Sequence, residues 1–413
     1  VRRSRPILRL CGAVVGVVIG VGGCVVERRL FDVDVVVHEA ESVAGALDDE
    51  ALTFNYTLIP DRGEENGTDV GRTVIAFAPD PAATTLAVGL DGFDADFARV
   101  AGGQSAALPL PDEGGVLEVP LLLAPAAVDV LTSLPPAPGP DACVVDDGAG
   151  HVFIVGGSAS TQQAYVFDDA FALRSLGGSG FPTGVGRPGC GATAGVVAVV
   201  GGCSGGASDG SIEVIAATGD TSRLATDDVD VACGAAAAAR RDGAVWLVDG
   251  DHSVHVVDDT GGREIGAARP GERLGLEVTA SDAIVFIVDG TLLYGSDDGG
   301  VTTLGPAVAL GRRGADVLVL DGDGGVGVVE DASVRALRAG IDVDDVLHFV
   351  LLDDDTFVSL RRDGEALDVR DPDGAARSLP TGAPGLRHIA ALPGGTVVVG
   401  GADVAGLRAV SIR

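Results

Sequence analysis

Val152-Phe153-Ile154-Val155-Gly156-Gly157 is a short apolar run closed by two glycines. The phrase returns as Val196-Val197-Ala198-Val199-Val200-Gly201-Gly202. With Asp-Gly at its end it reads Val245-Trp246-Leu247-Val248-Asp249-Gly250 and Val285-Phe286-Ile287-Val288-Asp289-Gly290. Weaker copies lie at 326–331 and 357–364, and the last is Thr396-Val397-Val398-Val399-Gly400-Gly401. The copies recur at intervals of roughly 30 to 50 residues, long enough for one supersecondary unit each. Apolar runs of this length between turn signals read as strands. A terminal Gly pair suits a strand that must turn without a side chain in the way.

Each interval has one internal grammar. A strand of small residues comes first (142–145, 232–239), then the apolar strand, then a third (164–167, 212–215, 254–257). A more polar fourth strand, such as 173–176 or 222–225, closes the unit. Four strands per repeat, with the smallest side chains first, is the grammar of a β-propeller blade whose inner strand crowds a central channel. The pattern covers 141–413 and gives an all-β fold with seven blades. The last repeat begins near Arg387 and has only three strands before Arg413. A ring must close or expose an edge, so 128–134 is expected to supply its outer strand. Six blades is the alternative if 314–345 forms no complete unit, and two stacked sandwiches is the other all-β alternative.

The repeats resemble degenerate kelch-type blades, on the strength of Gly156, Gly157, Gly201, Gly202, Gly400 and Gly401 after apolar strands. Tyr165-Val166-Phe167 is the best match to the third-strand portion. The later Tyr and Trp of that family are largely missing, and Trp246 sits elsewhere, so the chain departs from the family pattern there.

Ahead of the repeats, residues 25–127 read as a small β-sandwich-like domain. Short apolar or alternating runs at 30–37, 52–58, 74–78, 84–90 and 116–123 are separated by Asp/Gly/Pro turns. A helix is expected near 39–50. Residues 128–140 combine the closing strand with a stiff Pro-rich linker.

Residues 1–24 have the form of a secretion signal. Arg2, Arg3, Arg5 and Arg9 precede an apolar run too short to span a bilayer, and Glu27-Arg28-Arg29 follows it. Val21-Gly22-Gly23-Cys24 resembles the lipobox of bacterial lipoproteins, with Val in place of the usual Leu. The resemblance implies cleavage before Cys24, acylation of its sulfur and a stable lipid anchor. Val25 is not the Asp of the inner-membrane retention signal, so the expected address is the cell envelope at the outer membrane. An ordinary signal peptide and a secreted protein, or a single-pass anchor, are the alternatives.

Composition narrows the partners. The chain has 60 Asp plus Glu against 28 cations, all Arg, for a formal charge of -32. That balance excludes nucleic acid, whose phosphates need a cationic footprint. A hydrophobic fraction of 46% excludes an acidic disordered tail. Both a GC-rich genome and adaptation to high salt would leave this composition. Aromatics at 4% favour a protein partner over a glycan that stacks on rings.

Candidate chemistry is sparse. Beyond Cys11 and Cys24, four cysteines remain, and an exported chain permits disulfides. Cys190–Cys203, across one hairpin, is the preferred pair; Cys143 and Cys233 sit on inner strands two blades apart, so a second bond is less clear, and Cys190 with Cys233, between adjacent inner strands, competes. None has the Cys-x-x-Cys spacing of a zinc site. His252 and His255 stand three apart on a strand start and point to opposite faces, the reading being exposed turn histidines. Tyr56, Tyr165 and Tyr294 lack the context of a copper-radical site. Asp321-Gly322-Asp323-Gly324-Gly325 starts like a calcium loop, but Gly325 and Ala332 stand where ligands are needed. No cofactor is expected, with Ca²⁺ on acidic turns the one candidate. No nucleophile elbow, Walker loop or His-Glu-x-x-His occurs. The sequence therefore reads as a lipid-anchored, non-catalytic binding or scaffold protein. Its propeller loops would take an unknown protein or glycan partner. The alternative is a propeller lyase or hydrolase using carboxylates in the central funnel.

Overall fold

The computed structural model describes residues 31–49, 51–62, 66–69, 76–77, 80, 82–111, 115–133, 143–156, 163–168, 171–176, 189–200, 212–224, 235–249, 253–267, 271, 273–341, 345–383, 385–392, 394–401 and 406–412. Cys24, Cys203, Cys233, His252, Gly157, Gly201, Gly202 and the linker 134–140 lie outside them. The chain divides into two compact units: Val1–Ala127 with Pro393–Thr396 and Ala409–Arg413, and Val128–Leu392 with Val397–Arg408.

In the first unit, Phe31–Glu39 runs parallel to Val116–Pro125, with Val33 beside Leu117 and Val35 beside Val119. The second half of the sheet holds Thr53–Pro60, Thr85–Phe93 and Arg99–Gln104, and joins the first where Ala101 meets Pro125. Val33 and Val35 from one half share a core with Leu58, Leu86, Val88 and Leu90 from the other. The two halves thus enclose one apolar core in a sandwich-like arrangement. The helix expected near 39–50 is instead two single 3-10 turns, Glu41–Val43 and Ala46–Asp48. Gly45, at φ +85°, breaks the run, and the Glu39 carboxylate accepts from the Gly45 and Leu47 backbone N–H groups.

In the second unit, the described strands form seven antiparallel four-stranded blades. Their inner strands are Cys143–Asp146, Gly189–Thr193, Ala236–Ala239, Arg273–Val278, Ala309–Arg313, Val346–Leu351 and Leu386–Leu392. Each lies beside the next, and the seventh lies beside the first, so the ring closes. The fold is a seven-bladed β-propeller. The stretch 314–345 does belong to a complete fifth blade: after the inner strand Ala309–Arg313 it supplies Asp316–Leu320, Val326–Glu330 and Ser333–Arg338 as the second to fourth strands. The weaker copy placed at 326–331 is therefore the third strand; Val317-Leu318-Val319-Leu320-Asp321-Gly322 is the true counterpart of the repeated phrase. The outer strand of blade 7 is Asp129–Ser133, which pairs with Gly406–Ser411.

Side-chain size explains the convergence. A Cβ on Gly191 would come within 2.7 Å of Ala238 Cβ, and one on Gly189 within 2.5 Å of Ala236 Cα. Gly311 lets blades 5 and 6 hydrogen-bond directly in parallel, opposite Phe349, whose carbonyl oxygen would lie 2.4 Å from a Cβ there. Gly400 abuts Val144 across the seam between blades 7 and 1, and a Cβ on Gly401 would meet Arg387 N at 2.6 Å. Between blades the packing is apolar, with Trp246 fully buried and its Nε1 donating to Asp282 O at 2.7 Å.

The preferred Cys190–Cys203 disulfide is not formed; Cys190 is bonded to Cys143, with Cα atoms 6.2 Å apart. The hairpin register places Val199, not Cys203, opposite Cys190. The converging inner strands of blades 1 and 2 bring Cys143 to it instead. The bond is of the type weighed for Cys190 with Cys233, between neighbouring inner strands, but with the other neighbour.

Candidate functional site

The channel holds a cluster of charged side chains. Asp146 comes from blade 1, Glu277 from blade 4, Arg312 from blade 5, His348 from blade 6 and His388 from blade 7. Arg312 Nε donates to Glu277 Oε2 at 2.7 Å, and its Nη2 lies 2.6 Å from the same oxygen in an ion pair. Arg312 Nη2 also reaches the Ala192 carbonyl of blade 2 at 3.4 Å, and its Nε stands 3.7 Å from Asp146 Oδ1. His348 Nε2 lies 3.4 Å from Glu277 Oε1. The His348 and His388 rings meet edge to face at 6.5 Å.

Burial sets the protonation of the group. Desolvation pushes Asp146 up to about 6, against the pull of Arg312. Glu277 is desolvated too, but Arg312 and His348 outweigh that and hold its carboxyl below the usual range. Desolvation and the neighbouring His348 hold His388 down at about 4. The Arg312 guanidinium stays charged, since Glu277 and Asp146 overcome its own burial. The neutral imidazole and the acid shared between two states flank a cavity of about 20 Å³, bordered by Asp146, Glu277, His348 and His388. That is room for a water molecule and far short of the several hundred Å³ of a substrate pocket.

The turn after the inner strand of blade 1 caps one end of the cluster. Asp147 Oδ1 accepts from the Ala149 and His151 N–H groups, and Asp147 Oδ2 accepts from Gly195 N on blade 2. Gly148, at φ +68°, is close enough that a Cβ would come within 2.8 Å of Arg312 Nη1 and 2.5 Å of Gly314 O. Arg312 is only 3% exposed and Glu277 8%. The arrangement could move a proton through Asp146, but the cap and the burial leave no room for a substrate beside it.

Sequence reasoning missed all five residues. The signal was present: each interrupts an inner strand that in other repeats is built of small residues, as in Ala236–Ala239. The residues singled out in advance stand elsewhere. His255 is not an exposed turn histidine; it stands on the strand Ser253–Asp258, is largely buried and lies 3.3 Å from Asp249 Oδ2. Asp321 closes a hairpin, its Oδ1 accepting from the Asp323 and Gly325 N–H groups. Among the described residues, no cluster of three or more His, Cys, Asp or Glu is arranged to hold a metal ion. Among them, too, no helix is long and apolar enough to cross a membrane.

No protein-family model matches the chain, and no curated protein does. Solved structures do resemble it. A streptogramin B lyase aligns at 10% identity over 67% of this chain and 94% of its own, with TM-score 0.47. YCF48 from Cyanidioschyzon merolae aligns at 12% over 69% and 99%, also at 0.47. BamB from Moraxella catarrhalis aligns at 15% over 64% and 80%, at 0.40. At such identity the likeness concerns the fold alone.

Proposed function

We propose that the chain is a lipid-anchored, non-catalytic binding or scaffold protein of the bacterial cell envelope, held through Cys24 and presenting its propeller loops to a protein partner. One observation carries the binding half of this reading. The channel charges neutralise one another, with Arg312 buried against Glu277, so the ring centre serves as a pin and the outward surfaces remain for recognition. The anchor half rests on Arg2 to Arg9, the apolar run and Val21-Gly22-Gly23-Cys24. The kelch-like Gly pairs belong to the same reading.

The second reading, a lyase or hydrolase, has its own observation. Asp146, Glu277, His348 and His388 converge in the channel, and Asp146 is tuned to about 6, near a useful acid–base range. Their burial weighs against it.

The deciding experiment is expression with the native signal in a bacterial host. Membranes are then fractionated, and the intact mass of the mature amino terminus is taken for the native chain and Cys24→Ser. A membrane-bound product starting at Cys24 with added acyl chains, lost in the variant, is the expected result. A soluble, unacylated product cut elsewhere would remove the anchor and bring a secreted protein forward.

A further inference from the structure

One turn recurs through the described residues. Its opening aspartate donates its backbone N–H to the carbonyl four residues on, and its own carbonyl accepts from the N–H three residues on. The turns run from Asp94 to Ala98, Asp168 to Ala172, Asp321 to Gly325 and Asp371 to Ala375. In the first three the opening carboxylate is part of the turn. Its Oδ1 accepts the N–H of Ala98, Ala172 and Gly325, at 2.9, 3.0 and 2.7 Å. In the fourth, on blade 6, Asp373 Oδ1 takes the Ala375 N–H instead, at 3.1 Å. The Asp371 carboxylate is displaced from the turn and stands 3.9 Å from Arg377 Nη1. Asp371, Pro372 and Gly374 at the first, second and fourth positions suit a type I turn, so the turn itself accounts for those residues.

The turn does not account for Arg338. From the outer strand of blade 5 its guanidinium reaches blade 6, where Nη1 donates to the Asp355 carbonyl at 2.7 Å and Nη2 to the Asp371 carbonyl at 3.0 Å. The Asp371 carbonyl oxygen thus accepts from two donors, Arg338 and the Gly374 N–H, both at 3.0 Å. Two donors on one carbonyl oxygen, one of them charged, are what stabilises an oxyanion. The carbon of that carbonyl lies between a carboxyl group released from its turn and the nitrogen of Pro372, a tertiary amide. The residues after the other three opening aspartates are Ala95, Asp169 and Gly322, so this bond is peculiar to the fourth turn. Pro372 to Ala375 are exposed to water.

We infer that Asp371–Pro372 is a self-cleaving peptide bond. The protonated Asp371 carboxyl adds one oxygen to its own main-chain carbonyl carbon, an intramolecular attack that closes a cyclic anhydride. The negative charge that develops on the carbonyl oxygen is held by Arg338 and Gly374. The carboxyl proton passes to Pro372 N, the C–N bond breaks, and Pro372 leaves as the amino terminus of a second piece. Water opens the anhydride and leaves Asp371 as a free carboxy terminus, so the net change is the uptake of one water. The pieces stay together, because Ala376–Pro380 remains paired with Ala366–Arg370 and Gly406–Ser411 with Asp129–Ser133. The inference is independent of the lipid anchor and of the partner proposed above.

The test is incubation of the purified full chain at about pH 5, where part of the carboxyl is protonated, with intact mass read over days. The chain carries its own control, Asp80–Pro81, where Asp80 Oδ1 is engaged by the Ala82 N–H at 2.8 Å. In the folded chain the cut after Asp371 should outpace the cut after Asp80 by about tenfold or more, and in urea the two rates should converge. Arg338→Gln should slow the first cut about tenfold, while Arg223→Gln, on blade 2, should leave it unchanged. The rate should fall as pH rises toward 7, since the attacking group needs its proton; Arg377, Arg338 and Asp373 are the charged groups around it. Unchanged Trp246 fluorescence would show that each variant is folded, and if Arg338→Gln does not fold, the comparison with urea decides. Equal rates at the two bonds in the folded chain, faster cutting after Asp371 in urea than in the folded chain, a rate indifferent to Arg338→Gln, or no cut after Asp371 would each overturn the proposal.

Discussion

Glu277 and Arg312 show how much one pair can carry. A buried ion pair adds little net stability over an apolar pair of the same shape, but removing one partner strands the other. Glu277→Ala should therefore destabilise the protein by about 3–5 kcal/mol in urea unfolding. Glu277→Leu combined with Arg312→Met should cost much less. Trp246, the single tryptophan, is buried between blades 3 and 4 and reports the transition by fluorescence. The neighbouring groups set a pH dependence with two opposed slopes. Asp146 titrates at about 6 in the folded chain against an ordinary 3.8, so the stability it contributes is full at acid pH and fades as pH rises toward 6. His388 titrates at about 4 against 6.5, so its contribution is full above 6.5 and is lost as pH falls toward 4. Between pH 4 and 6 the two offset each other in the native protein. Asp146→Asn should leave a curve that rises with pH across that window, and His388→Gln one that falls. Each should differ from the native curve by about 2 kcal/mol at its extremes. Identical slopes in the two variants would show that these residues do not control the profile.

Among the elements, the inner strands do the most. The Cys143–Cys190 bond ties two of them and closes a loop with a sequence separation of 47. Cys143→Ser should lower stability by about 2–4 kcal/mol, the usual range for closing a loop of this size. Peptide mapping without reductant should recover 143 joined to 190. Much of this layer was legible in the sequence. The apolar phrase with its Gly pair marks the second strand of most blades, because a buried strand needs a continuous apolar run whatever its neighbours. The fifth repeat was misphased because it holds two such runs, 317–320 and 326–329, and its inner strand is Ala309–Arg313 rather than a string of small residues. The disulfide was misassigned because sequence proximity favours a hairpin, whereas channel geometry brings successive blades together. Polar residues on the inner strands were a visible signal, but which of them would meet in the channel was illegible for the same reason. Asp146 and His388 become neighbours only once the ring is closed, and no local pattern announces that.

For the whole molecule, charge is the dominant long-range term. At -32 the chain repels itself, and salt screens that repulsion. Raising NaCl from about 50 mM to about 1 M should raise the melting temperature by several degrees. A melting temperature that falls with salt would mean that ion pairs such as Arg312–Glu277, rather than net repulsion, dominate the response. The ring's closure by Asp129–Ser133 has a consequence for synthesis. These residues leave the ribosome before any other part of the propeller, yet their pairing partner, Gly406–Ser411, emerges only after all seven inner strands. Until then the early strand has nowhere to dock, and the growing stack of blades keeps two raw flanks. A chain stalled short of Gly406 could never seal them. Sealing of the ring, rather than folding of any single blade, is thus the step that finishes the propeller, and a copy stopped short of it carries its own mark for a protease.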